Sequence, residues 1–243
     1  MNIIQEKLFI IVPCYNEAEC IVSVIKELQN HLPDAHIVIV DDASSDASVA
    51  VIKSVLDEKI TLLPLATNLG IGGAVQTGFI YAALNGAEYA VKFDGDGQHP
   101  ADMITTLLAP LLDDSADLVI GSRFMADNDG FKSTFLRRIG IIFFAVVNSL
   151  LLKQRIIDNT SGFRAYNRAA LKFAAEHYPS FDYPEPEEVV LFAHNNFRIK
   201  EVSVSMRDRA AGSSSINLKR SAYYMVKVTF AIFMTAMRPR IRR

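Results

Sequence analysis

Residues 8–46 read LFIIVPCYNEAECIVSVIKELQNHLPDAHIVIVDDASSD, and their pattern decides the fold class. Leu8 to Val12 is a continuous apolar run stopped by Pro13, the signature of a strand buried on both faces. Ile21, Val24, Ile25 and Leu28 then recur at the spacing of one helix face. A second apolar run, Ile37 to Val40, ends in Asp41-Asp42. The alternation continues outward. Ile60 to Leu63, Tyr89 to Phe93 and Leu118 to Ile120 are further short apolar runs, and Val49, Ile52, Val55 and Leu56 mark another helix face. Repeated strand–helix–strand units predict an α/β fold, with a mostly parallel sheet and helices on both faces. Ligands of such sheets bind beyond the carboxyl ends of the strands, so the polar clusters directly after each run are the candidates for function.

The rest of the chain fits one packed domain with a C-terminal extension, divided here as 1–216 and 217–243. Half of the 243 residues are hydrophobic, which excludes a disordered tail or a collagen-like fibre. No internal repeat, low-complexity tract or Pro/Gly linker breaks the first two hundred residues. Cys14 and Cys20 are too few for a disulfide scaffold and favour a reducing, cytoplasmic setting. The polar N-terminus lacks the basic-then-apolar layout of a secretion signal.

The formal net charge of −2 hides a split, because residues 195–243 hold eleven Lys and Arg against only Glu201 and Asp208. A basic end on an acidic body points to an anionic partner: nucleotide phosphates, anionic lipid or nucleic acid. No aromatic-and-basic recognition module accompanies it, which argues against nucleic acid. Two apolar stretches, residues 139–152 and 228–237, fall short of the ~20 residues that span a bilayer. The first reads as core helix. The second, followed by Arg238, Arg240, Arg242 and Arg243, reads as an interfacial helix on an anionic membrane surface.

Pro13-Cys14-Tyr15-Asn16-Glu17 follows the first strand, where the Tyr15 ring can stack on a nucleobase. Asp41-Asp42-Ala43-Ser44 follows the second; one carboxylate can accept a base N–H, or the acids simply cap and turn the chain. Asn68-Leu69-Gly70-Ile71-Gly72-Gly73 lacks both the P-loop and the dinucleotide spacing and reads as a tight, closely packed turn before a helix. The strongest local signal is Phe93-Asp94-Gly95-Asp96-Gly97-Gln98-His99-Pro100, because Asp-x-Asp after an apolar strand puts two carboxylates near one point, as a hard divalent cation requires. His99 stands where a calcium EF-hand loop needs glycine. An aspartyl-nucleophile phosphatase also uses Asp-x-Asp, but on its first strand and with a following threonine, and neither holds here. Arg123, Arg137, Arg138 and Arg164 are either phosphate contacts or ion-pair partners. Tyr183-Pro184-Glu185-Pro186-Glu187-Glu188 opens a helical run, where acids suit the helix N-terminus and Glu187 can instead face a substrate. Met206 to Ser215, MRDRAAGSSS, suits closure over phosphates or a solvated loop equally.

In order, VPCYNEAE, VDDASSD, NLGIGGAVQTG, FDGDGQHP, GSRF, DNTSGFRAY and RDRAAGSSS resemble the family 2 glycosyltransferases of the GT-A fold, a Rossmann-like class. Among these, the pattern resembles the dolichyl-phosphate mannosyltransferase-like enzymes, which load a sugar onto a polyprenyl phosphate. The resemblance covers roughly residues 8–216. It implies that Pro13, Tyr15, Glu17 and Asp42 hold the nucleobase and ribose, with Asp41 close by. It implies Asp94 and Asp96 as the Asp-x-Asp metal pair for Mg2+ or Mn2+ across Gly95, with Asp96 the more direct ligand, and Gln98 on the diphosphate or acceptor side. Arg123, Arg138 and Arg209 would contact phosphates. YPEPEE with MRDRAAGSSSI looks like a bacterial subgroup whose members move N-acetylglucosamine from a nucleotide sugar to undecaprenyl phosphate and accompany a small integral membrane protein. A polyprenyl phosphate acceptor, already anionic, needs no strong base. A sugar hydroxyl acceptor would need a carboxylate such as Glu187 to take its proton. A catalytically silent nucleotide-binding scaffold is opposed by the Asp-x-Asp pair and the arginines. The resemblance places the enzyme peripherally on the inner face of the cell membrane.

Overall fold

The computed structural model describes residues 2–125, 144, 148–149, 156–179, 182–207 and 218–241, with the side chains of 2–3 and 218–225 excepted. In chain order the elements are α1 (Asn2–Gln5), β1 (Leu8–Cys14), α2 (Ile21–His31), β2 (His36–Asp41), α3 (Ser48–Lys53), β3 (Ile60–Pro64), α4 (Gly70–Leu84), β4 (Tyr89–Lys92), α5 (Ile104–Leu112), β5 (Leu118–Ser122), β6 (Arg164–Asn167), α6 (Arg168–His177), α7 (Glu185–His194), β7 (Ile199–Ser203) and α8 (Leu218–Met237). The sheet order is β3-β2-β1-β4-β6-β5-β7. All pairings are parallel except those of β6, which runs against both β4 and β5.

Every residue of β1 is buried because successive side chains enter opposite cores. Leu8, Ile10 and Val12 join Ile25, Leu28 and Leu107 on one face, while Phe9 and Ile11 join Phe79, Tyr166 and Phe192 on the other. Each such side chain contributes ~1.5–3 kcal/mol of burial, which is why the central strands read as unbroken apolar runs. From β1 the chain steps outward to β2 and β3 and then returns to β4 on the other side of β1. That reversal opens a crevice at the carboxyl ends of β1 and β4, where α/β sheets bind ligands.

Three local expectations change. The helix expected through Leu56 stops at Lys53, burying only Ser48 and Ile52 and leaving Leu56 exposed. Gly70-Ile71-Gly72-Gly73 opens α4 instead of preceding it, although the close packing holds: a Cβ on Gly73 would meet Leu69 Cβ at 2.5 Å. Two strands lie outside the apolar runs. β6 is short and begins with a buried arginine, and β7 (IKEVS) is mostly half-exposed, so neither carries the continuous apolar signature. Most of 139–152 lies outside the described residues, but Phe144 and Asn148 within it are buried.

α8 docks along α7 through Val228 and Ile232 against Val190 and Phe144. Among the described residues, no helix is long and apolar enough to cross a membrane.

Candidate active site

The loops after β1 and β2 are stitched together at the carboxyl edge. Asn16 and Ala43 adopt left-handed backbone (φ 57° and 58°), which turns both loops sharply. Asn16 Oδ1 accepts from the Ser45 N–H at 2.8 Å, Ser44 Oγ accepts from the Asn16 N–H at 2.9 Å, and Ser48 Oγ accepts from the Glu17 N–H at 2.9 Å. Tyr15 stands half-exposed above this lattice. Asp42 is spent locally: Oδ1 accepts from the Leu69 N–H at 2.6 Å, and burial pushes its carboxyl above the usual range. Asp41 differs. Its Oδ2 caps Ser44 at 3.1 Å, while Oδ1 is buried with no hydrogen-bond partner among the described residues. A buried carboxylate oxygen left unpaired is costly, and a base N–H would satisfy it.

The Asp-x-Asp turn packs directly on the loop after β1. A Cβ on Gly95 would come within 3.1 Å of the Pro13 carbonyl oxygen, so glycine eases the close approach of the segment after β4 to the end of β1. The Cys20 thiol lies 3.3 Å from the Gly95 carbonyl oxygen and 3.2 Å from Glu17 Oε2, two acceptors for its one proton. Asp96 is buried, and its Oδ1 accepts from the Gln98 N–H at 3.1 Å. Asp94 keeps a third of its side chain exposed. The space beside it is guarded by Gly162, whose absent Cβ would meet Asp94 Oδ2 at 3.0 Å. His99 Nδ1 accepts from the Asp94 N–H at 3.1 Å, which leaves the ring proton on Nε2, 3.5 Å from Asp94 Oδ2. Burial pulls the His99 pKa down, and the neutral ring stacks on Phe163 at 4.6 Å. The Gln98 carbonyl accepts from the Arg207 N–H at 2.9 Å, tying the turn to the segment after β7.

Arg123 is held in a buried fork. Nε and Nη2 donate to Asp158 at 2.7 Å each, and Nη2 also donates to Thr160 Oγ1 at 2.6 Å. Glu201 accepts from the Ile157 and Asp158 N–H groups at 2.8 and 2.7 Å, fixing the segment that carries this pair. Arg138 and Arg209 lie outside the described residues. Glu187 turns away to α8, where Thr235 Oγ1 donates to its Oε1 at 2.7 Å in a buried contact.

Sequence reasoning missed a buried charge network behind the site. Lys92 Nζ donates to Glu185 at 2.6 Å, and Arg164 donates to Glu188 at 2.8 Å, with Tyr166 adding a 2.7 Å bond to Glu188. Arg164 also donates to the carbonyls of Asn159, Ser161 and Glu185, so the DNTSG segment is pinned to the start of α7. A signal existed: a lysine inside the otherwise apolar run from Tyr89 to Phe93 requires a buried partner.

A mostly parallel sheet with an Asp-x-Asp turn at its switch point is the architecture of the GT-A glycosyltransferases. The chain superposes on glucosyl-3-phosphoglycerate synthase of Mycobacterium tuberculosis, solved with Mn2+, uridine diphosphate and phosphoglyceric acid, with a TM-score of 0.70 at 17% identity, covering 96% of this chain and 79% of that one. The chain belongs to glycosyl transferase family 2, whose model matches residues 9–173. It is 32% identical to the UDP-N-acetylglucosamine–dolichyl-phosphate N-acetylglucosaminyltransferase of Methanococcus voltae, over 81% of this chain and 84% of that protein. It is 28% identical to the polyprenol monophosphomannose synthase of Mycolicibacterium smegmatis, over 92% and 86% respectively.

Proposed function

We propose that the protein is an inverting, metal-dependent glycosyltransferase that moves N-acetylglucosamine from its UDP conjugate to a polyprenyl phosphate, undecaprenyl phosphate in a bacterium, for cell-surface glycan synthesis at the inner membrane face. The observation that carries it is the close approach of Gly95 to Pro13, where a Cβ would lie 3.1 Å from the carbonyl oxygen, because it supports an Asp-x-Asp pair working beside the loop after β1. The names of the Methanococcus and Mycolicibacterium relatives support the lipid-phosphate acceptor, and the first supports the sugar.

In this reading Tyr15 stacks on the base and Asp41 Oδ1 accepts a base N–H. Asp42, already bonded to Leu69, shapes the ribose side through the loop. Asp94 and Asp96 would hold Mg2+ or Mn2+. The residues fit such an ion: Asp94 is partly open, and Gly162 keeps the space beside its carboxylate clear of a side chain. The bound ion would neutralise charge on the departing diphosphate. The acceptor phosphate is anionic near neutral pH, so its oxygen attacks the anomeric carbon as the bond to the diphosphate breaks, with inversion and without a strong base. Glu187, engaged with Thr235, is not required to take a proton. Gln98 lines the diphosphate or acceptor side, and Arg138 and Arg209 supply phosphate contacts.

The test is a panel of radiolabelled nucleotide sugars incubated with the protein, Mg2+ or Mn2+, and undecaprenyl phosphate, followed by organic extraction. Label entering the lipid phase from the UDP-N-acetylglucosamine arm alone supports the proposal. Label from another donor overturns the sugar, and label entering only added glycans overturns the acceptor.

A further inference from the structure

α8 has two apolar faces, and among the described residues only one is packed. Val228, Ile232 and Thr235 are buried against α7. Val226, Phe230, Phe233 and Met237 are exposed, from 48% for Phe233 to 80% for Met237, and Met234 flanks them. At 100° per residue these four fall within about 60° of one another, on the side of the helix opposite the docked face. An open stripe of Val, Phe and Met on a docked helix marks an interaction surface.

Charge says what covers it. From residue 218 to the last residue the chain has seven Lys and Arg and no Asp or Glu. Arg238 and Arg240 are exposed just beyond the stripe. A second copy packed stripe to stripe would oppose these like charges. An anionic bilayer would attract them while accepting the apolar side chains. The helix has only ten uncharged residues between Lys227 and Arg238, too few to span a bilayer and suited to lying along its surface.

α7 and α8 run in the same direction, because Asp182 pairs with Lys227, Glu187 with Thr235 and His194 with the Arg238 carbonyl. α7 begins at Glu185, which holds Lys92 at the end of β4, directly before the Asp-x-Asp turn. The stripe therefore starts at the sheet edge that carries the candidate site.

We propose that the Val226–Phe230–Phe233–Met237 stripe with Arg238 and Arg240 is a bilayer-docking surface for anionic lipid, which lays α8 along the membrane with the start of the stripe beside the carboxyl edge of the sheet. This deepens the lipid-phosphate reading above and rests on it for its purpose, though not for its test.

The experiment is co-sedimentation of the full chain with phosphatidylcholine vesicles, with and without phosphatidylglycerol, beside its oligomeric state by light scattering. Phe230→Ser with Phe233→Ser should lower the vesicle partition coefficient by about tenfold or more. Arg238→Gln with Arg240→Gln should lower it roughly fivefold per arginine on anionic vesicles and leave neutral ones unchanged. Both variants should keep the wild-type melting temperature and the transfer rate to a short-chain, water-soluble prenyl phosphate. Unchanged vesicle binding in both variants overturns the proposal, as does a wild-type dimer that Phe230→Ser with Phe233→Ser dissociates without affecting vesicles. If wild-type protein binds vesicles through the stripe but labels no prenyl phosphate, the acceptor reading fails and the docking surface stands.

Discussion

Arg123 and Asp158, 35 residues apart, form a buried bidentate ion pair in which Nε and Nη2 each donate at 2.7 Å. The Arg123 backbone N–H also donates to Asp158 Oδ2 at 3.1 Å, so one carboxylate holds both the side chain and the chain at the end of β5. Breaking a buried pair leaves the remaining charge without a partner. Asp158→Ala should therefore cost about 3–5 kcal/mol of stability, read by urea denaturation, whereas a loss near zero would show that the pair is not buried in solution.

Asp94 and Asp96 should separate chemistry from folding. Asp96→Ala should abolish sugar transfer, and Asp94→Asn should reduce it by about two orders of magnitude or more, while both keep the wild-type circular dichroism spectrum. Full activity in the Asp96 variant would remove the metal role.

Glu187→Gln tests the acceptor. The amide oxygen can still accept from Thr235, so α7 and α8 should stay docked and the transfer rate should remain within about threefold of wild type. If Glu187 were the base for a hydroxyl acceptor, kcat would fall by about 10²–10⁴.

Burial pushes both cysteine thiols up to about 12, with Asp41 adding to the effect at Cys14 and Glu17 at Cys20. At pH 8 only about one thiol in 10⁴ is then thiolate, the reactive form. Native protein should resist a thiol-reactive dye for hours and take up two equivalents on denaturation. Fast labelling of the folded protein would contradict the burial of both.

Asp117 clamps the far edge of the sheet, accepting from Asn167 Nδ2 at 2.8 Å and from the Arg198 N–H at 2.8 Å. Burial opposes ionisation, but these hydrogen bonds and the Arg198 charge outweigh it and hold the carboxyl below its ordinary value. The unfolded chain thus binds more protons in acid, so this contribution is complete above the unfolded pKa and is lost as pH falls through the folded one. Asp117→Asn should cost about 1–2 kcal/mol at pH 7, and the difference from wild type should shrink below about pH 4. A pH-independent difference would refute the linkage.

The central strands were legible because burial on both faces demands an unbroken apolar run, as in β1. The candidate site was legible from topology and resemblance together: a parallel sheet gathers whatever comes after its strands at one edge, so Tyr15, Asp41, Asp42, Asp94 and Asp96 could be named from their place after a run, while Pro13 rested on the family resemblance. β6 and β7 were not legible. Their strand pairing is set by neighbours distant in the chain, and their own residues are charged or alternating.

By itself, then, the sequence determined the α/β class, the family pattern and the edge at which chemistry is placed, since all three rest on local spacing. Only the tertiary structure decided which polar group meets which: Arg123 with Asp158, Lys92 with Glu185, 93 residues away, and Glu187 with Thr235. It also decided which face of α8 docks and which stays open. A buried charge takes the partner that folding brings within hydrogen-bond reach, and a helix buries the face its neighbour covers, so neither choice is encoded in the residues alongside it.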